Sequence, residues 1–232
     1  MDSSVWLEDM ERLPPGVWSE YMRRQDPFQS RVKAEEYRTL FDECSHEGRD
    51  LACRRRIEWG TDGPVQILSE LGVRVVSREC CDTDLPETAF AAFIEPDVVV
   101  WRRDVIGRAQ QYMDQVIEPR SVDLRSLVLA HELFHVLAFQ GYGETPLCHK
   151  CKVEVGGFGP VRIKRVLPSL EEVEAMGFAC GLRNSDVVPY AFNVVLLMPI
   201  SMRMAHEQFE AIMNIGRELE QRERDVPCAL RS

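Results

Sequence analysis

The chain has 232 residues, of which 45% are hydrophobic, and it carries a net charge of −10. This composition is typical of a globular protein and argues against wholesale disorder. An acidic chain is repelled by phosphate backbones, so we expect no direct contact with nucleic acid.

Features that would direct the chain to a membrane are weak. Residues 1–9 are acidic and lack the apolar core of a secretory signal. The longest apolar stretch, 194–200, is too short to span a bilayer and contains Pro199. We therefore expect a cytoplasmic protein without a membrane partner, in which most cysteines are reduced thiols. The eight cysteines are Cys44, Cys53, Cys80, Cys81, Cys148, Cys151, Cys180 and Cys228.

Helical patterns dominate the beginning of the chain. Residues 30–42 place apolar side chains at helical spacing among charged ones, which predicts an amphipathic helix. A further helix is predicted over 64–71, because Gly72 follows at a C-cap position. We predict that residues 1–60 form an N-terminal helical extension and that 61–232 form the main domain.

Three short strands are predicted next. The β-branched run 73–76 is the first, and the segments 90–94 and 98–101 are the second and third. Because Glu95, Pro96 and Asp97 separate the last two, they predict a hairpin.

The second half of the chain is predicted to be mostly helical. Helices are expected over 106–116, 122–139, from Ser169 onward, over 187–197 and over 201–223. Residues 140–159 are rich in glycine and predict mostly loop, and 161–166 predict a strand. The order of helix, small sheet and further helices indicates an α+β fold, mostly helical, with a small sheet beside the helix over 122–139.

The most informative motif is His131-Glu132-Leu133-Phe134-His135. Histidines four residues apart project from one face of an α-helix, so both imidazoles can bind one zinc ion. Glu132 stands beside them as a general base for metal-bound water. Because the flanking residues are apolar nearly all round, we expect this helix to be buried.

A catalytic zinc site needs a third protein ligand and an open position for water. Glu171 and Glu174 are candidates, because they lie three residues apart and share one face of a predicted helix. Glu172 is assigned instead to a capping box with Ser169 at the start of that helix.

Cys148-His149-Lys150-Cys151 follows the motif helix. A structural zinc needs four ligands, and no second Cys-x-x-Cys pair exists, so unmetallated thiols are the favoured interpretation over a second metal site. His149 or Tyr142 could alternatively reach the cleft and stabilise an oxyanion.

These motifs together resemble the ImmA/IrrE family of metallopeptidases. The resemblance rests on the His131–His135 motif, followed by a helix reading Glu174-Ala175-Met176-Gly177-Phe178-Ala179. It implies a zincin-like domain in which His131, His135 and Glu174 bind zinc and Glu132 is the base. An insert at about 141–168 departs from the family pattern.

The function expected from the motif and the resemblance is zinc-dependent hydrolysis of a peptide bond in a protein or peptide substrate. Members of the family commonly act on DNA-binding repressors in stress responses or mobile elements, which suggests a regulatory protein as substrate. The alternative is an inactive protein that binds a partner and uses zinc structurally, with Cys148, His149 or Cys151 as a fourth ligand. Manganese or iron could also occupy a site of two histidines and one carboxylate.

Overall fold

Ten α-helices and five β-strands form in the residues that the computed structural model describes, which are 4–60, 63–79, 85–86, 88–116, 122–141, 145–158, 161–184 and 189–225. The helices are α1 (Ser4–Glu11), α2 (Pro15–Gln25), α3 (Ala34–Trp59), α4 (Pro64–Glu70), α5 (Arg103–Val116), α6 (Leu124–Gln140), α7 (Leu147–Lys150), α8 (Pro168–Arg183), α9 (Pro189–Leu197) and α10 (Met202–Asp225). The strands are β1 (Arg74–Arg78), β2 (Ala91–Ile94), β3 (Val98–Arg102), β4 (Lys152–Phe158) and β5 (Val161–Val166). Cys80, Cys81, Tyr142 and Cys228 lie outside the described residues. The predicted α+β class, mostly helical, is confirmed.

A three-stranded sheet has the strand order β1-β3-β2. The predicted hairpin is present, since β2 pairs antiparallel with β3 from Ala91 opposite Trp101 to Ile94 opposite Val98. Strand β1 pairs parallel with β3 on the other side. At the edge of the sheet, Phe93 of β2 contacts Phe139 of α6, with ring centroids 5.5 Å apart. The sheet therefore lies beside α6, as the sequence predicts.

Helix α6 begins and ends at residues suited to those positions. The Asp123 side chain caps the helix by accepting a hydrogen bond from the backbone N–H of Ser126 at 3.1 Å. Gly141 ends the helix in the left-handed region at φ 63°. The buried positions of α6 lie on several sides of the helix, as its apolar sequence predicts.

Two segments differ from the sequence-based expectation. The predicted helix over 30–42 extends in the structure from Ala34 to Trp59. The segment 140–159, predicted to be mostly loop, contains α7 and β4. Glycine has a low strand propensity, so the sequence of β4 does not predict a strand. The strand forms because it pairs with β5, with a bulge near Gly156.

Helices α3 and α8 cross at very short range. A β-carbon added at Gly48 would collide with the carbonyl oxygen of Glu174, and one added at Gly177 would collide with the carbonyl oxygen of Ser45. The backbones approach because no side chain separates them. One face of α8 is therefore committed to α3, and the rotation of α8 about its axis is fixed.

The hydrophobic core is continuous along the chain. Buried side chains from Trp6 in α1 to Ile215 in α10 belong to one cluster. The helices before residue 60 share this core with those after it, and the domain boundary at residue 60 stays a prediction. None of the helices among the described residues is both long and apolar enough to cross a membrane.

We expect Gly48→Ala to destabilise the protein by about 3 kcal/mol, because the new methyl group meets backbone atoms that cannot move aside. Gly107→Ala is the matched control, since it is also in a helix but its added β-carbon meets nothing within 4 Å. That control should stabilise by about 0.5–1 kcal/mol through helix propensity. Urea unfolding measures both changes. Equal effects of the two substitutions would show that the crossing is looser than described.

Candidate metal centre

His131 and His135 lie on successive turns of α6 and open into one cleft. Their side chains are 14% and 18% exposed, so each is mostly buried but reachable from the cleft. The two Nε2 atoms are 3.1 Å apart. This arrangement is what the four-residue spacing predicts.

Glu172 of α8 completes a group of three potential ligands. One of its carboxylate oxygens is 3.2 Å from Nε2 of His131, and the other is 3.7 Å from Nε2 of His135. Ligand atoms about 2.0–2.1 Å from a tetrahedral zinc ion lie roughly 3.3–3.4 Å from one another, so the separations fit. Among the described residues, His131, His135 and Glu172 form a candidate metal-binding triad.

The charge state of Glu172 also suits a cation. Burial by protein atoms raises its pKa, but the hydrogen bond and the charge of His131 outweigh this effect and lower the pKa to about 2. The side chain is still 49% exposed to the water of the cleft. Glu172 is therefore a carboxylate at neutral pH, which is the form that binds a metal ion.

Glu171 contacts His135 at Nδ1, the ring nitrogen that faces away from the triad. Its carboxylate lies 3.1 Å from Nδ1 of His135, and that hydrogen bond lowers the pKa of Glu171. Because a carboxylate can only accept, Nδ1 of His135 donates, and the neutral ring presents the lone pair of Nε2 to the triad. Within the described part of the chain, the buried Nδ1 of His131 has no hydrogen-bond partner, so the contacts of Nε2 with Glu172 and His135, together with packing, orient that ring.

The pKa of His135 reflects these neighbours. Burial by itself lowers it, but the hydrogen bond with Glu171 and the nearby carboxylates of Glu172 and Glu132 raise it overall. His149 contacts the other oxygen of Glu171, with Nε2 at 3.4 Å. His149 lies at the cleft, as one of the alternatives from the sequence requires, and its contact there is Glu171.

Glu132 lies beside the triad in a drier environment. It is only 6% exposed, and burial raises its pKa, while the charges of His131 and His135 act in the opposite direction. The backbone N–H of Phe93, in edge strand β2, donates a hydrogen bond to its carboxylate. Glu132 is thus a carboxyl group held next to two potential ligands and to the edge of the sheet.

Glu174, the third ligand expected from the sequence, lies on another face of α8 and does not belong to the candidate triad. Its carboxylate is completely buried and accepts hydrogen bonds from the backbone N–H groups of Leu147, at 3.0 Å, and Cys148, at 2.7 Å. At about 100° per residue, positions 172 and 174 are about 200° apart around the helix. The face that carries Glu174 and Gly177 packs against α3, which turns Glu172 toward the histidines.

The predicted capping box is wrong. Helix α8 begins at Pro168, and Leu167 at its N-cap makes no side-chain hydrogen bond. Ser169 instead donates from its hydroxyl to Asp26 at 2.6 Å and from its backbone N–H to the same oxygen at 3.1 Å. Glu172 is therefore available to the cleft. The sequence does contain a signal for this, since Glu172, Met176 and Ala179 have the spacing of one helix face and all three line the cleft.

The cysteines of the insert do not close the candidate metal centre. Cys148 hydrogen-bonds to Glu174, and Cys151 hydrogen-bonds to Cys44 of α3. Burial raises the pKa of all three thiols. Among the described residues no cysteine joins His131, His135 and Glu172.

The cleft in front of the triad has a volume of about 770 Å³. Its floor is α6, one rim is β2, and the opposite wall comes from α8 and α9. That wall is mostly apolar, with Met176, Phe192 and Leu196 facing the space. A cleft of this size accommodates several residues of a peptide or a small molecule.

Comparisons with protein-family models, with curated proteins and with solved structures found no match for this chain. The functional argument therefore depends on the site itself.

Two substitutions separate the roles of the glutamates on α8. Glu172→Gln should weaken zinc binding at least tenfold with little effect on the stability of the metal-free protein. Glu174→Gln should leave zinc affinity within about threefold but cost about 1–3 kcal/mol, because a buried acceptor is lost. Competition with a chromophoric chelator and urea unfolding measure the two quantities. Loss of zinc in the Glu174 variant alone would reinstate Glu174 as the ligand.

Proposed function

We propose that the protein is a zinc-dependent peptidase with a zincin-like fold. The observation that carries this proposal is the combination of His131, His135 and Glu172, at ligand spacing, with the buried carboxyl group of Glu132 beside them in an open cleft. Manganese or iron fits the same ligand types, but two imidazoles and one carboxylate on facing helices are typical of a catalytic zinc site.

Each side chain has a distinct part in the proposed reaction. A zinc ion, when bound, would polarise the substrate carbonyl and acidify a water molecule. Glu132 would accept the proton of the attacking water and return it to the leaving amine nitrogen. Glu171 would keep His135 in the orientation and tautomer that a metal ligand needs.

A peptide is the substrate class that suits the cleft. Strand β2 lies at the edge of its sheet and contributes Ala91, Ala92 and Phe93 to the cleft. An extended peptide can add to such an edge through backbone hydrogen bonds. The contact between Phe93 and Glu132 brings this edge to the proposed base. By its resemblance to the ImmA/IrrE family, the substrate would be a regulatory protein.

The arrangement favours the enzyme over an inactive zinc-stabilised protein. A structural zinc is closed by four protein ligands, whereas the candidate centre has three within the described residues. Of the three side chains considered as a fourth ligand, Cys148 is engaged with Glu174, Cys151 with Cys44 and His149 with Glu171.

Metal content tests the first half of the proposal. The purified protein should contain about one zinc ion per chain, and incubation with a chelator should remove both the zinc and the hydrolytic activity. Restoring zinc should restore the activity. Elemental analysis together with X-ray absorption spectroscopy would report two nitrogen ligands and the remainder oxygen. Sulfur in the coordination sphere, or no metal at any added concentration, would contradict the proposed centre.

Glu132→Gln tests the second half. We expect this variant to bind zinc as the unmodified protein does but to hydrolyse unfolded casein at least a hundredfold more slowly, because the general base is lost. Glu172→Gln is the matched comparison and should lose zinc and activity together. Normal cleavage by the Glu132 variant would remove Glu132 from the mechanism. A zinc-loaded, unmodified protein that cleaves neither casein nor a random-sequence peptide library would refute the peptidase proposal.

A further inference from the structure

The hairpin formed by β4 and β5 exposes an apolar face. It is a two-stranded sheet separate from the three-stranded one. Phe158 is 90% exposed, Val161 62% and Ile163 49%. The register pairs Phe158 with Val161 and Gly156 with Ile163, so these side chains share one face of the hairpin. Large apolar side chains grouped in this way on a surface are typical of an interaction site.

The same hairpin is basic in an acidic protein. Residues 152–166 contain four basic residues and one acidic residue, a net charge of +3, which leaves −13 for the rest of the chain. Arg162 pairs with the single acidic residue, Glu154, at 2.9 Å. Lys164 and Arg165 are exposed, and within the described ranges neither has an acidic partner. The hairpin is thus a local region of positive charge on an acidic protein.

The hairpin is connected at both ends to the candidate metal centre. The chain enters it just after His149 and leaves it just before Pro168, and both of these residues line the cleft. Val153, near its base, is buried in the core. A strand of seven residues extends about 20 Å, so a ligand on the hairpin stays within reach of the cleft.

Strand β5 also has a backbone edge suited to pairing. All of its residues from Val161 to Arg165 are exposed, and its one strand partner among the described residues is β4. Its outer N–H and C=O groups can form hydrogen bonds with an extended chain. These bonds would fix the orientation of a ligand that the charges and the apolar side chains attract.

We propose that the β4–β5 hairpin is a docking site for an extended segment of the protein substrate, one that alternates acidic and apolar residues and adds to β5 as a third strand. This inference rests on the proposed function, since it assigns the partner as the substrate. A protein segment fits better than an anionic membrane, because it can meet the hairpin alone, whereas a membrane surface would also face the remaining net charge of −13.

Peptide binding tests the docking site without hydrolysis. The probe is a fluorescein-labelled peptide of five Val-Glu repeats, and its anisotropy is followed on titration with the Glu132→Gln protein, with and without a chelator. Five Val-Lys repeats and five Ser-Glu repeats test the charge and the apolar contact. Only the Val-Glu peptide should bind well, with or without zinc.

Two variants locate the binding to the hairpin. Reversal of three charges, Arg162→Glu with Lys164→Glu and Arg165→Glu, should raise Kd at least tenfold, and so should Phe158→Ser. The matched control reverses three exposed arginines of α10, Arg203, Arg217 and Arg224, and should change Kd less than twofold.

Several results would overturn the inference. The first is a rise in Kd for the α10 control as large as that for the hairpin variants. The second is binding of the Ser-Glu peptide as tight as that of the Val-Glu peptide. The third is no binding of the Val-Glu peptide. Hairpin-dependent binding to vesicles of phosphatidylcholine with phosphatidylserine, in place of peptide binding, would identify a membrane surface instead. Failure of the docking site leaves casein hydrolysis intact, whereas peptide binding without any hydrolysis would overturn the assignment of the partner as a substrate.

Discussion

The close crossing of α3 and α8 is the constraint on which the candidate centre depends. Gly48 and Gly177 let the two backbones meet without intervening side chains, and a methyl group at either position would collide with a carbonyl oxygen. Because protein interiors are densely packed, such a contact leaves α8 no freedom to rotate. The face of α8 opposite α3 is thereby directed at the two histidines of α6. The contact between α3 and α8 therefore positions the candidate centre, although none of its three potential ligands takes part in that contact.

The fixed rotation gives three neighbouring glutamates three different environments. Glu172 faces His131 and His135, Glu171 lies behind His135, and Glu174 caps the backbone of α7 inside the core. The carboxylate of Glu174 stabilises the segment that carries His149, which in turn contacts Glu171. The insert between α6 and α8 therefore contacts α8 at two points, Glu174 and Glu171, and the second of these also contacts His135 of the candidate centre.

The parts of the structure that local patterns determine could be predicted from the sequence. The apolar α6 with its two histidines, the β2–β3 hairpin and the α+β class follow from spacing and turn residues. The spacing of Glu172, Met176 and Ala179 marks one face of α8, but the sequence does not say that this face meets the histidines, because that depends on which side of α8 packs against α3. The partner of Ser169, Asp26, lies 143 positions earlier in the chain, so a local capping rule chose the wrong bond. Strand β4 was missed because its glycines have low strand propensity and its stability comes from pairing with β5.

The electrostatics of the cleft divide its carboxyl groups into two kinds. Glu171 and Glu172 are next to imidazoles that lower their pKa values, so they are fixed as anions. Glu132 is one residue from His131, yet burial raises its pKa. Environments that separate the pKa values of neighbouring acids are typical of sites that transfer protons. The proposed peptidase requires this division, because a ligand must remain charged while a general base must take up a proton and release it. A structural metal site needs only the charged ligands, whereas a peptidase also needs a carboxyl group such as Glu132 beside them.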